Sequence, residues 1–358
     1  MLAANSGTYT FAYVGTFAPG NEKLATQTIF KGSIIVNGNT VPVVFKTSFD
    51  GSVGGIADLV NGLTVGTGGT AYPNGGGGWL TNSNLPMSGG QAVGGTASLD
   101  PASVPDVTLS DCFQASTPFT STTLSGKIVA VVPFVWVKGL APSLSTLTSI
   151  TSAQAYDLLK GSYTFNGAPV YAIGANEDSG ARLAAFEDAS GGTDNGDIGP
   201  SPHPSVPKQY QFAFSGTPLL WPAPVTVGGY TYTHPGHSGY ASDEALANVL
   251  NQATTVPYIG YLGINDATSV NRGNNTLKSN FYVYSVTNVG SGAYAFWDYE
   301  HVLYLPTLNG TALSVVQQLE SYIVANSLVS GVPIYGMKIH REGDGTKILS
   351  GGTPPNVP

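Results

Sequence analysis

Two stretches of the chain share one pattern, in which a short apolar run is followed by a tight Gly/Ser turn and an amphipathic helix. The apolar runs are Val41–Phe45 and Pro169–Ile173, and the turns with their helices are Asp50–Val60 and Asp178–Phe186. A strand that ends in such a turn leaves the first amides of the next helix without intrahelical acceptors. Together with the positive end of the helix dipole, these amides form an anion site. Two such turns at corresponding points of two α/β halves predict a ligand held between two lobes.

The composition excludes several classes of protein. Charged residues make up 9% of the 358 residues, far below the roughly 25% of an ordinary soluble domain, and this suits an exported or cell-surface protein. The net charge of −8 argues against a nucleic-acid partner and against an anionic membrane surface. No apolar run reaches the ~18–20 residues of a membrane span. Met1–Asn5 lacks the features of a signal peptide, so we expect the leader of an exported form to be absent from this chain.

The single cysteine, Cys112, excludes an internal disulfide. Its apolar surroundings, Val107–Phe113, favour a buried and inert thiol over a nucleophile. Neither a metal nor a cofactor is predicted. His234 and His237 flank a Pro-Gly turn and have no carboxylate or cysteine near them in the sequence to complete a metal site.

Strands and helices alternate along the chain, which predicts an α/β fold. Asn37-Gly38-Asn39 predicts a hairpin, and the run from Ile128 to Val137 predicts two strands bent at Pro133. Helices are predicted from Ser52 to about Asn61, over Thr151–Gly161, from a third Ser/Gly turn at His237–Glu244 to about Asn251, and over Ala312–Ser327. Further strands are predicted at Tyr9–Val14, Val170–Ile173, Val256–Leu262 and Ala293–Leu305. Residues 64–106, rich in Gly, Ser, Asn and Pro, predict an elaborated loop with little regular structure, and a linker between independent domains is the alternative.

The order of these motifs resembles the phosphate-binding branch of the type 2 periplasmic solute-binding proteins. The matching segments run over most of the chain: Tyr9–Pro19, Asp50–Gly62, Ile128–Val137, Leu147–Gly161, Ala175–Phe186, Val256–Gly263 and Gly292–His301. Asp50–Gly62 resembles the family's Gly-Ser-x-x-Gly helix start, and Ala175–Phe186 resembles its Arg-x-x-x-Ser-Gly-Thr-Arg segment. The resemblance implies a two-lobed fold with mixed sheets and a hinge.

The resemblance also implies which residues bind. Hydroxyls and amides at the helix starts would grip a dehydrated oxyanion, and the corresponding positions are Thr16, Ser52, Val53, Gly54, Ser179, Gly180, Ser238 and Gly239. The family's arginine, threonine and carboxylate are replaced by Ala175, Ala181 and Val65. Since the arginine supplies a bidentate grip and the carboxylate accepts a proton from phosphate, the ligand is left open between a small oxyanion and another polar solute. Arg182 follows the second turn, but the sequence does not show where its side chain lies.

The predicted architecture is a first lobe from 1–134 and 265–358, with the Gly-rich insertion at about 64–106, and a second lobe from 135–264. The predicted function is that of an exported, non-enzymatic binding protein that delivers its solute to a membrane transporter. The alternative is a ligand-free surface or structural protein on the same fold, which uses its low-charge exterior for self-association. A hydrolase ranks below both, because no Gly-x-Ser-x-Gly pattern surrounds Ser52 or Ser179.

Overall fold

The structure is a computed structural model, and it describes residues 9–14, 25, 27–49, 51–62, 79–93, 99–100, 104–190, 207–269, 275–326, 332–351 and 357. The strands are β1 (Thr10–Val14), β2 (Gln27–Val36), β3 (Asn39–Ser48), β4 (Trp79–Leu80), β5 (Gly90–Val93), β6 (Leu99–Asp100), β7 (Val107–Ser110), β8 (Ser125–Lys138), β9 (Ser149–Ile150), β10 (Thr164–Phe165), β11 (Ala168–Pro169), β12 (Tyr171–Ala172), β13 (Val225–Val227), β14 (Tyr230–Tyr232), β15 (Tyr258–Gly263), β16 (Lys278–Ser279), β17 (Trp297–Tyr304), β18 (Ile339–His340) and β19 (Leu349–Ser350). The α-helices are α1 (Ser52–Asn61), α2 (Ser152–Leu159), α3 (Gly180–Ser190), α4 (Asp243–Leu250), α5 (Ile264–Ser269), α6 (Val286–Ser291) and α7 (Gly310–Asn326).

Two larger sheets organise these elements. One has the strand order β3-β2-β1-β5 and the other β12-β15-β8-β17-β7. Both are mixed, because β1 pairs with β5 and β12 pairs with β15 in parallel, whereas their other pairings are antiparallel. The predicted mixed α/β fold class is therefore confirmed.

Strand β8 is the central strand of the five-stranded sheet. Its first part, up to Pro133, pairs with β17, and its second part, from Phe134 to Lys138, pairs with β15. The sequence predicts two strands bent at Pro133, but the structure has one continuous strand of 14 residues. Proline is tolerated here because the chain changes partners at this point, and the next amide, that of Phe134, donates to the carbonyl of Phe296 at 3.0 Å.

Several local predictions are confirmed. The hairpin at Asn37–Asn39 joins β2 to β3, and α1 begins at Ser52 and ends at Asn61, with Gly62 in the left-handed conformation that closes a helix. Helix α2 begins with a capping box, in which Thr151 Oγ1 accepts from the Gln154 amide and Gln154 Oε1 accepts from the Thr151 amide.

Other local predictions need correction. The helix that follows the third Ser/Gly turn is α4. It begins at Asp243, four residues beyond Gly239, because the Ser242 hydroxyl caps it by accepting from the Ala245 amide. Within 64–106, β5 joins the edge of the four-stranded sheet beside β1, so this tract contributes regular structure. The apolar run Pro169–Ile173 is divided between β11 and β12. Thr16, Asp50, Val65 and much of the loop 190–207 lie outside the described residues.

The main core is unusually aromatic and lies around the second part of β8. Trp136 and Phe296 stack with ring centroids 5.0 Å apart, and Tyr261 meets Trp136 edge to face at 5.9 Å. Cys112 is fully buried, as predicted. Across the described part of the chain, no helix combines the length and the apolar character that a membrane span requires.

Candidate functional site

The N-terminus of α1 is bonded to the chain itself. The Val53 and Gly54 amides both donate to the carbonyl oxygen of Asp178, at 2.9 and 3.3 Å. Gly51 precedes the helix with φ +87°, and a side chain there would collide with the same carbonyl. The two amides predicted to bind an anion are therefore satisfied by a backbone oxygen of the second Gly/Ser turn.

The Ser52 hydroxyl is paired with a carboxyl group that the sequence did not single out. Ser52 Oγ lies 2.5 Å from Asp111 Oδ1, to which it donates, and it accepts from the Asp111 amide at 3.1 Å. Burial raises the pKa of Asp111, and the hydrogen bond from Ser52 opposes this effect. A Cβ atom on Gly180 would overlap Asp111 Oδ1 and lie 2.8 Å from Ser52 Cβ. The two Gly/Ser turns thus meet directly, with the Asp111 carboxyl group between them.

Helix α3 is capped by Ser179. Its hydroxyl accepts from the Arg182 amide at 3.2 Å, and its own amide donates to the Asn176 carbonyl. In the described part of the chain, no residue accepts a hydrogen bond from the Gly180 or Ala181 amide. The start of α3 therefore keeps two amide donors, and it is the first turn of this helix that carries Arg182.

The Arg182 side chain is fully buried, at 0% exposure, and its three nitrogens have no hydrogen-bond partner among the described residues. Its guanidinium carbon lies 4.8 Å from the centre of the Phe186 ring and 5.8 Å from that of Tyr232. Cation–π contacts of this kind contribute about 0.5–2 kcal/mol, which does not replace the hydration of a buried charge.

Glu177 lies just before the same helix and is also fully buried, at 0% exposure. Neither of its carboxylate oxygens has a hydrogen-bond partner among the described residues. The Tyr232 hydroxyl lies close enough to Arg182 and Glu177 for their charges to act on it. Arg182 lowers the pKa of Tyr232, and Asp178 and Glu177 raise it. Burial is the largest influence on that pKa and raises it. We call Glu177, Arg182 and Tyr232 the buried polar group.

His237 and Tyr261 lie close enough to Arg182 for its charge to lower the pKa of both side chains. Burial, followed by the charge of Arg182, lowers the pKa of His237 to about 3, so that His237 is neutral near pH 7. Tyr261 donates from its hydroxyl to Gln209 Oε1 at 2.6 Å and accepts from the Ala175 amide at 3.2 Å. Ala175, at the position that the resemblance gives to the family's arginine, is held through its amide by the Tyr261 hydroxyl, and the buried guanidinium of this region comes from α3.

Ser238 and Gly239 lie alongside the second turn and do not begin a helix. Gln209 Nε2 donates to the carbonyls of both Ala175 and Ser238, at 2.8 and 3.0 Å. A Cβ atom on Gly239 would overlap the carbonyl oxygens of Gly174 and Ala175, so only glycine fits this close approach. The two segments are held next to each other by backbone contact.

A second buried arginine provides a useful contrast. Arg341, 2% exposed, donates to the carbonyls of Trp297 and Ala295 at 2.8 and 2.6 Å and pairs with Asp188 at 3.3 Å. Its guanidinium also lies 3.7 Å from Asp298. The chain therefore provides acceptors for both terminal nitrogens of Arg341, whose Nε has no partner among the described residues, whereas it provides none for the three nitrogens of Arg182.

The sequence predicted the two helix starts that meet here, but it did not single out Asp111 or Glu177 and did not show where the Arg182 side chain lies. Glu177 and Arg182 flank the second turn, so their position was visible. Their burial was not, because charged residues next to a turn are usually solvated.

Comparisons with known proteins give a likeness to solved structures only. No protein-family model matches the chain, and no curated protein does. The similar structures include an ABC-type phosphate transport receptor from Vibrio cholerae, with 13% identity, a TM-score of 0.40 and coverage of 67% of this chain and 87% of that chain. A phosphate ABC transporter substrate-binding protein from Clostridium perfringens, with bound phosphate, has 13% identity, a TM-score of 0.38 and coverage of 67% and 86%. PstS from Borrelia burgdorferi has 11% identity, a TM-score of 0.36 and coverage of 69% and 87%.

These structures are of the phosphate-binding kind that the motif order resembles. At such identities and TM-scores they do not identify a ligand, so the site and its solute have to be inferred from this chain's own residues.

Proposed function

We propose that this chain is a non-enzymatic solute-binding protein and that Arg182 holds the oxyanion group of a small polar solute. The observation that carries the proposal is the complete burial of Arg182 with no hydrogen-bond acceptor in the described part of the chain. Removing an ion from water costs several kcal/mol even after relaxation, unless another group replaces the lost hydration. An oxyanion replaces it well, because the planar guanidinium presents its donors in a fork that matches two oxygens.

The start of α3 supports the same proposal. Gly180 and Ala181 retain amide donors at the positive end of this helix, close in sequence to Arg182. We therefore keep Ser179 and Gly180 as proposed binding residues. For Ser52, Val53 and Gly54 we propose a role in closing the protein over the solute, since they bond to Asp111 and Asp178. Ser238 and Gly239 would shape the wall of the site, and Thr16 remains a prediction.

Solute exchange requires the closed surfaces to separate. We propose that 135–264 form one lobe and that 1–134 with 265–358 form the other, joined where β8 changes partners at Pro133. Contact between the lobes would include the bonds from α1 to the Asp178 carbonyl and the packing of β13–β14 on α1, where Asn61 Nδ2 donates to the Gly228 carbonyl at 2.7 Å. Export and delivery to a membrane transporter complete the proposal.

The test is a thermal-shift titration of the full chain with acetate, phosphate, sulfate and small amino acids. A solute that binds only the folded state at a hundredfold excess over its Kd stabilises the protein by about 2.7 kcal/mol. We expect at least one solute to raise the Tm of the wild type and of Lys31→Met, an exposed charge-removing control, but not that of Arg182→Met. A Tm that none of these solutes changes at millimolar concentration would refute the proposal.

A second candidate, a ligand-free surface or structural protein, is favoured by one observation. The α1 amides that would grip an anion are already bonded to the Asp178 carbonyl, so the closed arrangement is self-sufficient there. This candidate predicts no change in the radius of gyration, measured by small-angle X-ray scattering, with any solute of the panel. It also predicts association that depends on protein concentration. A solute-dependent decrease in the radius of gyration would exclude it.

A further inference from the structure

The buried polar group contains two opposite charges that the chain leaves unmatched. Glu177 and Arg182 are both fully buried, and the side-chain oxygens of one and the side-chain nitrogens of the other lack hydrogen-bond partners among the described residues. They do not form an ion pair with each other, although the Tyr232 hydroxyl lies within electrostatic reach of both. A solute that satisfied only Arg182 would leave the Glu177 carboxylate buried and unpaired.

The balance of charge selects among polar solutes. Arg182 contributes one positive charge and Glu177 one negative charge, and Asp178, whose carboxylate accepts from Asn176 Nδ2 at 3.4 Å, adds a second negative charge nearby. His237 adds no positive charge near pH 7. A phosphate or sulfate ion would therefore increase the excess of negative charge in a region closed to water, where like charges repel strongly. A solute with separated positive and negative ends has no net charge and would not increase this excess.

We propose that the solute is a small zwitterion whose carboxylate or sulfonate contacts Arg182 and whose ammonium group contacts Glu177. The ammonium group provides N–H donors for the carboxylate oxygens, and the carboxylate or sulfonate provides acceptors for the guanidinium. The Tyr232 hydroxyl, which also has no partner among the described residues, can bond to either end. This inference rests on the proposed function and specifies the chemical class of its solute.

The test is isothermal titration calorimetry on the full chain at pH 7, with probes that separate the two ends. Glycine, β-alanine and 4-aminobutyrate vary the distance between the charges. Acetate, phosphate and sulfate carry only an anion, methylammonium carries only a cation, and glycine betaine has no N–H donors. We expect one of the three zwitterions to bind at least tenfold more tightly than acetate, methylammonium and glycine betaine.

Substitutions test which residue contacts each charged end of the zwitterion. Glu177→Gln, which keeps the size of the side chain, is expected to weaken zwitterion binding at least tenfold and to leave acetate binding unchanged. Arg182→Met is expected to abolish both. Glu244→Gln on the exposed start of α4 is the matched control and is expected to behave as wild type. Circular dichroism and a cooperative melt establish that each variant is folded.

Two results overturn the inference. If acetate, phosphate or sulfate binds in an Arg182-dependent manner as tightly as the zwitterions, or if Glu177→Gln has no effect, the solute is a simple oxyanion and only the proposed function stands. If no probe binds the folded wild type, both proposals fail.

Discussion

Replacing each of the two buried arginines by methionine tests whether Arg182 lacks an internal partner. At Arg341 the substitution removes two carbonyl bonds and the pair with Asp188, and it leaves buried acids without their cation. Breaking a buried pair from one side costs about 3–5 kcal/mol. At Arg182 no such bonds are lost, so methionine removes the desolvation penalty, of several kcal/mol, and forfeits cation–π contacts of about 0.5–2 kcal/mol.

The expected difference is large enough to measure. Attraction between Arg182 and the nearby acidic groups offsets part of the gain, so the free energy of unfolding of Arg182→Met should change by between about 0 and +3 kcal/mol. An unfolding entropy of about 2.1 cal/mol/K per residue gives about 0.75 kcal/mol/K for 358 residues, so 1 kcal/mol shifts the Tm by about 1.3 °C. We therefore expect Arg341→Met to lower the Tm by about 4–7 °C and Arg182→Met to raise it by about 0–4 °C, without added solute.

Differential scanning calorimetry of the dialysed protein checks both values, and chemical denaturation supplies an independent free energy. A loss of 3 kcal/mol or more in Arg182→Met, similar to that of Arg341→Met, would refute the reasoning, because it would mean that the chain itself satisfies the guanidinium. Solute added to saturation should then raise the Tm of the wild type but not that of Arg182→Met, since only the wild type binds the solute and gains stability.

Three further results are expected. Gly180→Ala should destabilise the protein by about 2 kcal/mol or more in urea denaturation, because its methyl group overlaps Asp111, whereas Gly336→Ala, whose methyl group would lie 3.7 Å from Pro333, should stay within about 1 kcal/mol of wild type. Burial raises the pKa of Asp344 from 3.8 to about 7, so the folded state binds the extra proton and stability should decrease as pH rises from about 4 to about 7. Tm measured against pH should show this slope reduced in Asp344→Asn, and an unchanged slope would contradict the assignment. Cys112 is fully buried, and the pKa of its thiol is raised first by burial and then by the charge of Asp344. A thiol reagent should therefore react with Cys112 only after unfolding, and fast labelling of the native protein would contradict this.

The fold class and most helix limits could be predicted because local signals agree with tertiary structure. Helix α1 begins at the serine that follows a positive-φ glycine and ends at Asn61, just before Gly62, as the turn residues indicate. Helix α2 has a complete capping box in its sequence. Ser238 and Gly239 were predicted to lie at the helix start because two serines, Ser238 and Ser242, precede α4, and only the tertiary contact of Gly239 with Gly174 shows which serine lies in a loop.

The site was harder to predict because it depends on which charges are buried and which remain unpaired. The sequence places Glu177 and Arg182 beside a turn, where solvation is the ordinary expectation. The Tyr232 ring that lies against Arg182 comes from 50 residues further along the chain, and His237 packs against Tyr232 in turn. Asp111 was missed for the same reason, since nothing near it in the sequence indicates that it contacts Ser52.

Strand β8 has a consequence for the order in which the protein is made. Its second part cannot pair before β15 has been synthesised, and the apolar residues of its first part stay unpaired until the chain extends as far as Tyr304. Pairings between such distant segments form slowly, and unpaired apolar strands aggregate. Truncation before β17 should therefore yield insoluble protein, and heterologous production should benefit from slow synthesis and from chaperones that hold long nascent chains.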